Sequence, residues 1–267
     1  MKNRLRIVAI FGLVMFFAAS APAAIFSSNF AGASGEINPP VGFGVTNPGL
    51  FANSVWQVIS HNVDYVGSSY NFQAPPSGGN MVDLNGFSCS IGTQNCANGS
   101  ALGEIRTASP ITFTAGNTYQ LTFYYSGNPE YMNDPLLSSA QKTLIAGNQW
   151  ATAGFTNAGN TQTFANLDFQ FTSAMQSGQT ATGSAMNWQL GTLTFVAPTT
   201  SMYLFFSSNP NLMNLSGYDY DLQSWGVVVA GVTLNDLGNE NGQVPEPASF
   251  ALLGAGLVAL AAFRRRN

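Results

Sequence analysis

Between its two ends this chain has almost no positive charge. Of eight Lys and Arg residues in 267, only Arg106 and Lys142 fall between Ile25 and Gln243, where eleven Asp and Glu residues also lie. Two bases against eleven acids leave that stretch at −9, while the whole chain stands at −4. Such a surface repels phosphate backbones and anionic lipid, which excludes nucleic-acid binding. Histidine is scarcer still. His61 stands alone in the turn between Ile59 and Val63, with no second ligand pattern and no G-x-S-x-G, so neither a histidine metal centre nor a nucleophile triad has material to draw on. Outside the termini, no long segment carries apolar residues at helical spacing, which excludes a helix bundle.

Cysteine is limited to Cys89 and Cys96, an even pair with six residues between them. In an exported chain such a pair predicts a disulfide closing one small loop, worth about 2–3 kcal/mol by chain entropy. Free thiols or a metal site are the rival readings, the metal short of partners.

The missing basic residues are at the ends. Lys2, Arg4 and Arg6 precede an apolar run from Ile7 to Ala19, and Ala21-Pro22-Ala23 offers an A-x-A site. This predicts a secretory signal peptide cleaved after Ala23. At the other end stand Pro245-Glu246-Pro247, then the 16 apolar residues Ala248 to Phe263, then Arg264, Arg265 and Arg266. As a helix the run is about 24 Å long, short of the ~30 Å hydrocarbon core, so it spans only with thinning and snorkelling of the arginines. The arginines stay cytoplasmic and the body outside. This order of parts resembles the PEP-CTERM sorting signal of Gram-negative bacteria. The resemblance implies an exosortase as partner, cleavage near the Pro-Glu-Pro, a transient stay in the inner membrane, and release to the cell surface or extracellular matrix.

The body between is rich in Gly, Asn, Ser, Thr and Phe, and its short β-prone runs are separated by Gly, Asn and Pro. The clearest are 55–59, 63–66, 81–84, 111–114, 119–125, 164–172, 190–196, 202–207 and 226–234. Tyr119, Leu121, Phe123 and Tyr125 share one face of a strand, as do Leu193 and Phe195. About ten strands joined by turns predict an all-β fold, a single antiparallel β-sandwich of jelly-roll type. Residues 126–163 are less regular. The expected organisation is a signal peptide (1–23), the sandwich (24–237), a linker with the Pro-Glu-Pro motif (238–247), the apolar helix (248–263) and a basic tail (264–267).

Several short motifs fall in order along the body: Trp56, Val63-Asp64-Tyr65-Val66-Gly67, Asp83-Leu84-Asn85-Gly86, Gly116-Asn117-Thr118-Tyr119 with Leu121 and Phe123, and Gly127-Asn128. Trp188 with the 190–195 run and the 226–234 run follow. Together they resemble the choice-of-anchor C proteins over roughly residues 26–237. The resemblance implies a galactose-binding-like jelly roll, a scaffold often used to bind carbohydrate. Two departures stand out. Ala230-Gly231-Val232 replaces an Asp-Asn-Val strand, removing an acidic group that can serve a structural calcium, and the segment from Phe87 to Leu102, with both cysteines, reads as an insertion.

For ligand binding, aromatic faces stack on pyranose rings while amides and carboxylates bond to hydroxyls. Tyr70, Trp150, Trp188, Tyr218, Tyr220 and Trp225 are available. Trp56 and Trp188 sit beside strand runs and read as core. Tyr70, Tyr218, Tyr220 and Trp225 are the candidate binding residues, and Asp219 with Asp221 is an oxygen-rich calcium candidate or else a solvated loop. Asp64 and Asp83 read as loop organisers rather than as a glycosidase pair, so no catalytic residue is expected. Two functions follow. The chain binds exopolysaccharide or cell-wall glycan, or it is a structural or adhesion element of the envelope or biofilm matrix with no defined ligand.

Overall fold

In the computed structural model the described residues are 23–30, 40–41, 55–60, 63–66, 72–85, 102–135, 137–209 and 225–239. Their strands are β1 (Ala24–Ser28), β2 (Pro40–Val41), β3 (Trp56–Ser60), β4 (Val63–Val66), β5 (Met81–Asp83), β6 (Glu104–Thr107) and β7 (Ile111–Thr112), then β8 (Thr118–Gly127), β9 (Gln149–Thr156), β10 (Thr163–Phe171), β11 (Gln189–Val196), β12 (Ser201–Ser208) and β13 (Val227–Gly238). Every pairing is antiparallel. The larger sheet runs β11-β8-β13-β5-β4-β2 with β1 also on β13, and the smaller runs β10-β9-β12-β6-β3 with β7 also on β12. The chain crosses between the two sheets repeatedly, giving an all-β antiparallel sandwich of the jelly-roll kind.

Alternation along the strands builds the core. Tyr119, Leu121, Phe123 and Tyr125 on β8 all point inward and are buried, as the sequence pattern predicts. They meet Phe155, Phe169, Phe171, Leu204 and Phe206 from the smaller sheet. Rings cross the gap edge to face, Phe123 to Phe206 at 5.1 Å and Tyr125 to Phe169 at 4.9 Å, a geometry that suits aromatic quadrupoles. Trp56, 1% exposed, closes one end of the core against Phe26, Phe30 and Phe206, and its indole N–H donates to Ser28 Oγ at 2.9 Å. Trp56 is thus core. Trp188 is only half-buried, packed on the outer face of the larger sheet beside Val66, Met81, Met186, Val228 and Ala230.

The irregular stretch 126–163 holds a strand and a helix that period-2 reading passes over. In β9 the inward residues are Ala151, Ala153 and Phe155, and the two alanines are too small to mark a strand by hydrophobicity. Helix α1 (Ser139–Ala146) starts at Ser138, whose hydroxyl accepts from Gln141 N while the Gln141 side chain accepts from Ser138 N, a capping box.

Strand β13 changes partner along its length. Val228–Ala230 pair with β5, Val232 to Asn235 pair with β1, and β8 lies along the other side. At the junction Gly231 takes φ +55, and a Cβ there would fall 2.1 Å from Ser77 Oγ. This accounts for glycine at the position where the resemblance leads one to look for a polar side chain. Gly231→Ala adds left-handed strain of about 1–2 kcal/mol and a steric clash. We expect a loss of at least ~2 kcal/mol in urea unfolding, and an unchanged midpoint would show that the partner switch tolerates a side chain.

Candidate functional site

At the end of the sandwich where β5 and β8 finish and β13 begins, polar groups are buried together. Asp83, 1% exposed, lies opposite Asp64 on β4. Its Oδ1 accepts from Asn85 N at 2.9 Å and its Oδ2 from Asn128 Nδ2 at 2.8 Å. Asn128 Oδ1 accepts from Glu130 N at 2.9 Å, and Gln149 Nε2 donates to Asn128 O at 3.1 Å. Ser208 Oγ donates to Leu84 O at 3.0 Å and also bonds Asn85 Oδ1. Beside this, Tyr131 OH donates to Gln176 Oε1, and Gln179 Nε2 reaches Ser126 Oγ, Gly127 O and Met186 O. Asp83 therefore does organise the turn that follows it, from a strand and out of solvent, where a substrate has no access.

Burial pushes the Asp83 carboxyl well above the ordinary carboxylate range, and the Asp64 charge adds to it, while the Asn85 and Asn128 donors pull down. Burial also lifts the Tyr131 phenol to about 12.

Of the binding residues expected from sequence, Trp225 is described. It is half-buried, packs against Tyr131 and Ile145, and precedes Gly226, whose carbonyl accepts from Asn128 N at 2.9 Å. Tyr70, Tyr218 and Tyr220, the Asp219 and Asp221 pair, Cys89 and Cys96, Pro245, Glu246 and Pro247, and Arg264 to Arg266 lie outside the described residues.

A second polar cluster lies on the outer face of the smaller sheet, near the same end. Because Ala151, Ala153 and Phe155 point inward, Trp150 and Thr152 point outward on β9. Asn166, Asp168 and Gln170 take the outward positions of β10. Register sets Trp150 opposite Gln170 and Thr152 opposite Asp168. Thr152 Oγ1 donates to Asp168 Oδ1 at 2.5 Å, and Asn209 Nδ2 donates to Thr152 Oγ1 at 2.8 Å and Asp168 Oδ1 at 3.2 Å. Gln170 Nε2 donates to Gly147 O at 2.7 Å. Further along this face Arg106 lies 4.4 Å over the Tyr203 ring, its Nη1 donating to Ala158 O at 2.9 Å. The result is a half-buried indole next to a pre-ordered hydroxyl, carboxylate and amide. Sequence reading offers Trp150 as an aromatic but has no signal for Thr152, Asp168 and Asn209, which meet only after three segments pair.

Among the described residues there is no group of three or more His, Cys, Asp or Glu placed to hold a metal ion, and no helix long and apolar enough to cross a membrane.

Residues 243–266 match the PEP-CTERM protein-sorting motif. The chain carries an exosortase sorting signal. A PEP-CTERM motif marks an exported protein that exosortase processes at the membrane, so this chain belongs to that route. No curated protein matches the chain. Among solved structures it is similar to an arabinose-bound α-L-arabinofuranosidase at 13% identity and TM-score 0.40, covering 78% of this chain and 26% of that one. It is also similar to the carbohydrate-binding module of Cellvibrio mixtus lichenase 5A in complex with cellotriose, at 9% identity and TM-score 0.34, covering 80% and 98%. A third is a cleaved adhesin domain of Lys-gingipain from Porphyromonas gingivalis, at 12% identity and TM-score 0.40, covering 79% and 97%. The chain thus spans about a quarter of the arabinofuranosidase's length.

The buried carboxylate gives a pH signature. A folded-state value above the unfolded one, about 3.9, means the native state holds this proton to higher pH than the unfolded chain. Its contribution is intact below the unfolded value and is lost as pH rises through the raised folded value. Urea midpoints should therefore carry a component that falls from about pH 4 toward neutrality, and Asp83→Asn should remove it. An identical pH slope in the variant would rule Asp83 out as the source.

Proposed function

We propose that this protein is an exported polysaccharide-binding component of the cell surface or matrix, and that the Trp150 face is where the glycan lies. The observation that carries the reading is Trp150 beside the Thr152–Asp168–Asn209 cluster. An indole supplies a stacking plane for a sugar ring, and fixed carboxylate, hydroxyl and amide groups bond to hydroxyls at its rim. Asp83 is buried and hydrogen-bonded, and Asp64 faces it from the adjacent strand rather than across a cleft, so the reading assigns no hydrolysis.

Export completes the picture. In this reading the signal peptide leaves after Ala23, and the mature chain begins at β1. Ala24, the first residue of that mature chain, lies opposite Asn235. The N-terminus and the exit of β13 are therefore neighbours. Nine residues separate Gly238 from the apolar run at Ala248, a reach of about 30 Å at most. Both membrane-directed ends leave from one end of the sandwich. Trp150 and Asn209 lie toward the other, because Gln149 bonds Asn128 beyond the far end of β8. During the anchored stage the proposed binding face points away from the bilayer.

Two measurements test this. On immobilised glycans the mature protein should bind, Trp150→Ala should weaken binding by about tenfold or more, and Asp168→Ala should do so with no loss of thermal stability. Failure of the wild type to bind any polysaccharide, including those of its own matrix, overturns the glycan reading. Separately, mass spectrometry of the mature form should find neither the first 23 residues nor the Arg264–Arg266 tail, and an intact C-terminus refutes the processing step.

A further inference from the structure

The edges of the two sheets are not alike. Edge strands in soluble proteins carry charges, prolines or bulges that prevent pairing with another chain. Here β10 has Asp168 and a bulge between Thr163 and Ala165, β3 a bulge between Val58 and Ser60, and β1 a bulge between Ala24 and Phe26. Strand β2 is two residues long and starts with Pro40. Strand β11 has none of these. Its eight residues, QLGTLTFV, include no charge and no proline, and its register with β8 runs without a shift from Gln189 opposite Tyr125 to Val196 opposite Thr118. Among the described residues nothing pairs with its other edge.

Its outer face is exposed and apolar in pattern. Leu190 is 60% and Val196 58% exposed, with Thr192 and Thr194 exposed between them. The neighbouring strand β8, TYQLTFYYSG, is also free of charge. In a body at −9 most approaches of one copy to another meet like charge, and this edge is a neutral corridor through which two copies meet without repulsion. The sequence of β11 is also self-complementary. Antiparallel pairing of two copies about Leu193 sets Leu190 opposite Val196 and Thr192 opposite Thr194, cross-strand pairs of the stabilising kind. On the inner face the same register sets Gly191 opposite Phe195.

We propose that β11 is a self-association edge, and that its partner is β11 of a second copy of this chain, joined antiparallel about Leu193. The larger sheet then continues across the two-fold axis, with up to about eight new backbone hydrogen bonds over roughly 27 Å of strand. The proposal does not depend on glycan binding.

Paired charge variants test both the edge and the register. In L190E/V196E the register brings glutamate against glutamate, whereas L190K/V196E brings lysine against glutamate in both symmetric pairs. Both sites are exposed, so folding should persist, checked by thermal melts. In sedimentation velocity on the mature exported protein, the wild type should dimerise. L190E/V196E should raise the dimer Kd by about tenfold or more, and L190K/V196E should return it toward the wild-type value. A wild type that is monomeric throughout overturns the proposal. So does association that survives L190E/V196E, and so does equal loss in both variants, since that removes the register.

Discussion

The whole sandwich depends on the pairing of β13, the last strand, with strands made far earlier. One side of β13 takes β8, and the other takes β5 and then β1, so this strand ties residues near 24, 82 and 120 to residues near 230. Val227, Val229, Val232 and Leu234 fill the core from it, while Val228 and Ala230 pack outward under Met81 and Met186. A strand buried on both faces and paired on both edges cannot be left for later without exposing the aromatic core. Nearly the whole chain must be closed as a loop before β1 meets β13, and that entropy is spent before the contacts return it. The fold is thus completed only when the chain is available as far as β13, close to its sorting motif.

How much of this the sequence reveals follows from side-chain size. Runs with large residues at alternate positions, such as 119–125 and 202–207, read correctly as strands because Phe, Tyr and Leu mark the inward face. Strand β9 hides because its inward face is built from Ala151 and Ala153, which fit where the bulky rings of the facing sheet need room. Strand β6 hides because Glu104 and Arg106 take the outer positions of a run only four residues long. The Trp150 cluster is illegible for another reason. Its groups come from β9, β10 and the residue after β12, and only strand register brings them within hydrogen-bond distance. The sorting signal is the opposite case: it is read as a linear segment, so sequence alone is enough.

The scarcity of positive charge acquires structural meaning in the folded protein. Arg106 is spent over the Tyr203 ring and on Ala158 O, and Lys142 Nζ donates to Met132 O at 2.8 Å. Neither base of the body is turned toward the Trp150 cluster, where the fixed charge is the Asp168 carboxylate. A glycan bound there, as proposed, would be held by stacking and by hydrogen bonds to hydroxyls, a chemistry that suits neutral sugars and works against uronic acids or sulfated chains.

The proposed association through β11 and the proposed binding through Trp150 would reinforce one another geometrically. Each copy has one β11, so pairing about Leu193 is isologous and closes at two copies rather than growing into a fibre. The strand lies on the larger sheet and the Trp150 cluster on the outer face of the smaller one, so dimerisation leaves both binding faces uncovered. Two faces on one rigid dimer turn a weak single-site affinity for a repeating polymer into avidity, because the second contact is made at the effective concentration set by the dimer and not by bulk solution. Processing at the membrane, which the sorting motif indicates, would bring newly exported copies together and favour the encounter. On the proposed reading, a charge-poor edge and a single exposed-face indole, each modest alone, would together suffice to cross-link a neutral polysaccharide.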